Sequence, residues 1–209
     1  MNSILFWLGM LAVLAVAGPA LRMLIALVSG DQVALQALAK QPSSIRLSPA
    51  AASEWRNAAA ADNVVRALAP QGFLDAGGYS IAEMAGVRVR LLAQASESFY
   101  AAWYEHPTAG SWLELVTRYQ DGAGSSVSTL PPTGLAPLAG HQEVKAPGLS
   151  PLALLRRARA ERPDRPMRPV SVAAAARDFE QGYAESIEKR RAQGISRGEV
   201  VRVAARRAA

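Results

Sequence analysis

Histidine is scarce in this 209-residue chain. His106 and His141 are the only two, so any imidazole chemistry must use one of them. His106 stands in the string Tyr104-Glu105-His106-Pro107, at the end of a predicted strand. Glu105, His106, Asp121 and His141 could meet at one edge of a sheet, where carboxylate and imidazole groups bind a metal ion or move protons. The spacing lends this no support. There is no His-Glu-x-x-His, no Asp-rich cation loop, and no pair of histidines four apart. The simpler reading is that His106-Pro107 begins a turn and His141 is a loop residue.

Nucleophile and phosphate signals are equally thin. Ser96, Ser98, Ser111, Ser125, Ser126 and Ser128 lack the Gly-x-Ser-x-Gly elbow. The glycines of Gly72 to Gly78 match neither the P-loop nor Gly-x-Gly-x-x-Gly. Asp75-Ala76-Gly77-Gly78 reads instead as a turn. The chain has no cysteine, which removes disulfides and thiol-based metal or redox chemistry. No cofactor motif is present, and neither a catalytic residue nor a metal ligand is assigned.

The densest constellation is aromatic: Phe99, Tyr100, Trp103, Tyr104, Trp112 and Tyr119. In an antiparallel pair such residues meet across strands and contribute about 0.2–1 kcal/mol per pair. Alternation puts Phe99 and Trp103 on one face, Tyr100 and Tyr104 on the other. A face left uncovered would expose rings able to line a binding groove. Tyr104, Glu105, His106, Trp112 and Asp121 therefore form the candidate binding set.

These residues sit on elements that the hydropathy pattern outlines. Ser48-Pro49 resembles an N-cap followed by Pro at the first helical position, predicting a helix to about Leu68, where Pro70-Gln71-Gly72 stops it. Val87, Val89 and Leu91 then alternate with Arg88 and Arg90, as in a strand with one wet face. Phe99 to Glu105, Trp112 to Gln120 and Ser126 to Leu130 read as further strands, joined by His106-Pro107-Thr108-Ala109-Gly110 and Asp121-Gly122-Ala123-Gly124. His141 to Ala146 adds an edge strand. Short sequential loops imply an antiparallel meander. A second Ser-Pro pair, Ser150-Pro151, opens a helix to about Glu161. A longer helix runs from Ser171 to about Ala192, with Phe179, Tyr183 and Ile187 along one side. Ser196-Arg197-Gly198-Glu199 is a capping box for a last helix.

Ahead of this lies a hydrophobic N-terminus. Ile4 to Leu21 is uncharged, and after Arg22 the run Met23 to Val28 is apolar again. Such length predicts a transmembrane helix, since residues 4–28 would reach roughly 37 Å at about 1.5 Å per residue. A cleavable signal is the competing reading, with Ala15-Val16-Ala17 as its small residues. Against it, Met1-Asn2-Ser3 carries no Lys or Arg, and cleavage would leave an apolar stub. Asp31 to Lys40 continues the helix beyond the bilayer. Arg22, Lys40 and Arg46 follow the run and favour a cytoplasmic domain.

The expected organisation is an anchor at residues 1–30, a juxtamembrane helix and linker at 31–47, a helix-then-sheet domain at 48–150, and basic helices at 151–209. The fold class is α+β, with an antiparallel meander of 4–5 strands packed by helices. The net charge of +6 is uneven. Residues 1–150 carry 9 Lys/Arg against 10 Asp/Glu, and residues 151–209 carry 14 against 7. The basic segment suits contact with anionic lipid. Nucleic acid is not expected, because no nucleic-acid motif appears.

The string Gly72-Phe73…Gly78-Tyr79…Tyr104-Glu105-His106-Pro107…Gly110-x-Trp112-x-Glu114-Leu115-Val116…Asp121-Gly122 resembles bacterial membrane-anchored proteins of unassigned function. That resemblance spans about residues 70–135 and implies a bacterial inner-membrane location, with no activity to carry over. The expectation is a single-pass, membrane-anchored binding or scaffold module without enzymatic activity, its partners the bilayer through residues 4–28 and an unidentified protein. The alternative is a hydrolase or metal-dependent enzyme using Glu105, His106 and Asp121.

Overall fold

A computed structural model describes residue 36 and residues 38–208. These fall into two compact units: Pro42–Pro131 with Pro137–Lys189, and Pro132–Ala136 with Arg190 onward and the residues up to Gln41.

The larger unit is built on one seven-stranded sheet: β1 (Leu47–Pro49), β2 (Leu74–Ile81), β3 (Arg88–Gln94), β4 (Phe99–His106), β5 (Gly110–Arg118), β6 (Gly124–Ser128) and β7 (His141–Lys145). Strand order in space is strand order in sequence. Every neighbouring pair through β6 is antiparallel, whereas β7 runs parallel to β6, with Ser126 opposite Glu143. Residues 129–140 supply the crossover that a parallel pair requires.

The expected fold class needs correction on two counts. The sheet has seven strands and is mixed, where an antiparallel meander of 4–5 was expected. Among the described residues no helix is long and apolar enough to cross a membrane. The expected transmembrane helix lies outside the described residues, as does most of its extension from Asp31.

Two strands hid in segments read as helix and turn. Ser48-Pro49 belongs to β1, where Ser48 pairs with Ser80 and Pro49 with Tyr79. Proline is tolerated there because the strand is an edge. The helix starts later, as α1 (Ala58–Leu68), and its cap is Asn57, whose side chain accepts from Ala60 N–H at 3.0 Å. Asp75 to Gly78 is not a turn but the bulged start of β2, with the register shifting between Asp75 and Gly77. Gly77 has φ +109°, and a Cβ on Gly78 would stand 2.9 Å from the Trp55 ring. Both glycines thus serve a strand, one for its bulge and one for a close approach.

The two sheet faces are covered differently. On one, α1 and α2 (Pro151–Glu161) bury Val64, Leu68, Leu154, Leu155 and Ala158 against Leu92, Phe99, Ala101, Leu113, Leu115 and Val127. Ser150 caps α2 as expected, accepting from Ala153 N–H at 3.4 Å. On the other face lies α3 (Ala175–Gln193), which places Phe179 and Tyr183 against Ile81, Val87, Val89 and Leu91. Tyr183 also donates to the Pro42 carbonyl at 3.1 Å.

The smaller unit holds the last turn of α3 and α4 (Arg197–Ala208). Ser196 and Glu199 form the expected capping box: Ser196 N–H donates to the Glu199 carboxylate at 2.8 Å, and Glu199 N–H to Ser196 Oγ at 3.3 Å. Val200 is buried there among Ile195, Val201 and Ala204.

Candidate functional site

Strand alternation and the observed register assign the α3-side face of the larger unit residue by residue. Tyr104 on β4 lies opposite Trp112 on β5, Glu114 opposite Ser128 on β6, and Val116 opposite Ser126. The parallel pairing continues the rows onto β7, aligning Gly124 with His141, Ser126 with Glu143 and Ser128 with Lys145. One face therefore carries an aromatic group at β4 and β5 and a polar group across β5 to β7.

The aromatic group is a stack. Tyr104 and Trp112 lie 4.6 Å apart at 15°, and Phe179 of α3 backs Tyr104 at 6.0 Å. His106 approaches Trp112 at 6.5 Å. Trp112 and His106 remain partly exposed. The Tyr104 hydroxyl donates to Glu114 Oε2 at 3.4 Å. Burial first, and the neighbouring Glu114 charge second, hold that hydroxyl well above its usual range, so it stays a donor.

The polar group continues from Glu114. Burial pushes its carboxyl above the ordinary carboxylate range, while the Lys145 charge and the nearby Ser126 hydroxyl pull the other way. Ser126 Oγ in turn lies 3.0 Å from His141 Nε2. Burial lowers the His141 pKa against the opposing pull of Glu143, with Lys189 and Lys145 adding to the fall. The imidazole is thus neutral at pH 7. Its Nδ1 lies against Gly124, where a Cβ would come within 2.6 Å. Tyr104 with Glu114, and Ser126 with His141, form two hydrogen-bonded pairs on this face.

Three of the five expected site residues meet here: Tyr104, His106 and Trp112. The other two lie elsewhere. Glu105 points to the opposite face, is 4 % exposed, and accepts from Arg56 N–H at 3.0 Å and Asn57 N–H at 2.7 Å. Its carboxylate satisfies main-chain donors ahead of α1. Asp121 accepts from Ala123 N–H at 2.9 Å within its own turn and pairs with Arg165 at 3.1 Å. His106 Nδ1 accepts from Thr108 and Ala109 N–H at 3.1 and 3.0 Å, the turn its Pro neighbour suggested. Each of the three therefore organises its own stretch of backbone. Among the described residues no group of three or more His, Asp or Glu side chains is placed to hold a metal ion.

Glu114, Ser126, Glu143 and Lys145 were not in the expected set. The alternation of β5 already puts Trp112 and Glu114 on one face. Adding Ser126 and His141 requires the parallel β6–β7 register, which no local signal encodes. A separate cleft with a cavity volume of only about 10 Å³ lies on the α2 side, lined by Phe99, Leu115, Val127, Val144, Ala158 and Arg162 among others. It falls below the roughly 300–1,000 Å³ of typical ligand pockets.

Compared with protein-family models, with curated proteins and with solved structures, the chain matches none.

Proposed function

We propose that this protein is a non-enzymatic binding module, with Tyr104, Trp112 and His106 as its contact surface. The observation that carries this reading is the Tyr104–Trp112 stack, held in place by Phe179 and Glu114 with Trp112 partly exposed. A fixed ring loses little side-chain freedom on contact, which is why Trp and Tyr dominate binding surfaces. The enzymatic alternative gains nothing from the geometry, because Glu105, His106 and Asp121 serve three separate backbone sites.

The test compares three variants in chemical crosslinking and in ligand-induced thermal shift. Trp112→Ala should reduce capture by at least about tenfold, or about 1.4 kcal/mol, the scale of an aromatic anchor. Glu105→Ala should lower stability by about 1.5–3 kcal/mol through its lost main-chain hydrogen bonds, yet leave capture intact. Tyr104→Phe should weaken capture modestly. Equal capture by wild type and Trp112→Ala removes this surface from consideration.

The apolar run at residues 4–28, broken only by Arg22, would bring such a module to a bilayer. Extraction at alkaline pH tests this, with retention in the membrane pellet expected and release refuting it. A C-terminal reporter fusion fixes the compartment.

A further inference from the structure

Three arginines of the smaller unit converge on one short piece of chain. Arg190 Nη2 donates to the Ala136 carbonyl at 2.8 Å, Arg202 Nε to that of Gly134 at 3.1 Å, and Arg206 Nη1 to that of Pro132 at 2.8 Å. The buried Glu199 carboxylate accepts from Ala136 N–H at 2.7 Å. Between these contacts Gly134 adopts φ +94°, and a Cβ there would stand 3.1 Å from the Arg202 carbonyl carbon and the Val203 nitrogen. The segment lies directly on the backbone of α4.

Every one of these hydrogen bonds engages main-chain atoms of residues 132, 134 and 136. Affinity in such an arrangement comes from the backbone, as in other modes that capture extended peptides. Charged donors on carbonyls make it stronger than neutral pairing. The helix surface adds one selective demand, a glycine at the centre, because a Cβ would crowd the backbone of α4 and φ +94° strains any other residue.

We infer that the end of α3 and α4 form a peptide-binding clamp, occupied in cis by residues 132–136, whose partner is a protein segment that bends at a central glycine as residues 132–136 do. The cis segment is tethered, so it competes at an effective concentration in the millimolar range. A partner segment enters when the cis segment is displaced. This assigns Arg190, Arg202 and Arg206 to backbone recognition.

Gly134→Val provides the test, since a branched side chain at φ +94° is strained and crowds α4 while the clamp residues stay unchanged. The full-length variant should bind a fluorescent synthetic peptide of residues 130–138 at least about tenfold more tightly than wild type does, because the tethered competitor is gone. Adding Arg202→Ala and Arg206→Ala should abolish the gain, and a peptide carrying Gly134→Val should not bind. Absence of binding up to about 1 mM peptide, with the helical signal intact, overturns the proposal. Equal binding to wild type and to Gly134→Val also overturns it. If Gly134→Val unravels α4, Arg202→Gln with Arg206→Gln decides the matter by limited proteolysis. The clamp requires faster cleavage within residues 130–138 at unchanged helical signal, and an unchanged rate rejects it.

Discussion

Glu114 and His141 lie on the same sheet face and are both perturbed by burial, yet they tie stability to pH with opposite signs. His141 is held below its ordinary 6.5. The unfolded chain takes up this proton first as pH falls, so the folded state loses stability from about 6.5 down to the lowered value. Glu114 is held above its ordinary 4.5. The folded state keeps that proton longer, so stability falls as pH rises from 4.5 through the raised value. His141→Gln should flatten the loss of melting temperature on acidification below 6.5. Glu114→Gln should flatten the loss on raising pH above 4.5. Parallel curves for wild type and both variants would show that neither group is buried in its charged-disfavouring setting. At this scale the sequence was informative about residue types and silent about partners. His106 and Asp121 stood beside turn residues, and both serve those turns. Glu105 gave no hint that it would reach back to Arg56 and Asn57, because that contact joins positions far apart in the chain.

The elements that hold the site draw their stability from apolar faces that periodicity reveals well. In α2, Leu154 and Leu155 are 0 % and 1 % exposed, packed among residues of α1 and the sheet. Leu154→Ala should cost about 2–5 kcal/mol, read by chemical denaturation, with a smaller loss indicating that neighbours collapse into the space. Phe179, Tyr183 and Ile187 were equally legible, because i, i+4 spacing marks one side of a helix whatever it packs against. Capping signals were less reliable. Ser150-Pro151 and Ser48-Pro49 look alike, yet only the first begins a helix. The second is drawn into β1 by pairing with Ser80 and Tyr79, a tertiary contact that overrides local preference. Asp75 to Gly78 was misleading for a related reason. Glycines suggest turns, but here one permits a bulge and the other makes room for Trp55.

Across the whole molecule, the α+β class and the central strands followed from alternation and turn chemistry, whereas the number of strands and the direction of β7 did not. Strand direction depends on how residues 129–140 cross over, and that path is set by packing. The sheet's other margin, β1, has a consequence for behaviour in concentrated solution. An exposed strand invites another chain to add to it through free N–H groups. Along β1 the Leu47 N–H is already taken by Glu180 at 2.6 Å, and Pro49 has no N–H to offer. The strand is also only three residues long. Pro49→Val together with Glu180→Ala should restore donors and raise light scattering during storage at high concentration, and unchanged scattering would show that length alone protects the margin. A proline and a glutamate at this margin thus act as the chain's safeguard against polymerising with itself.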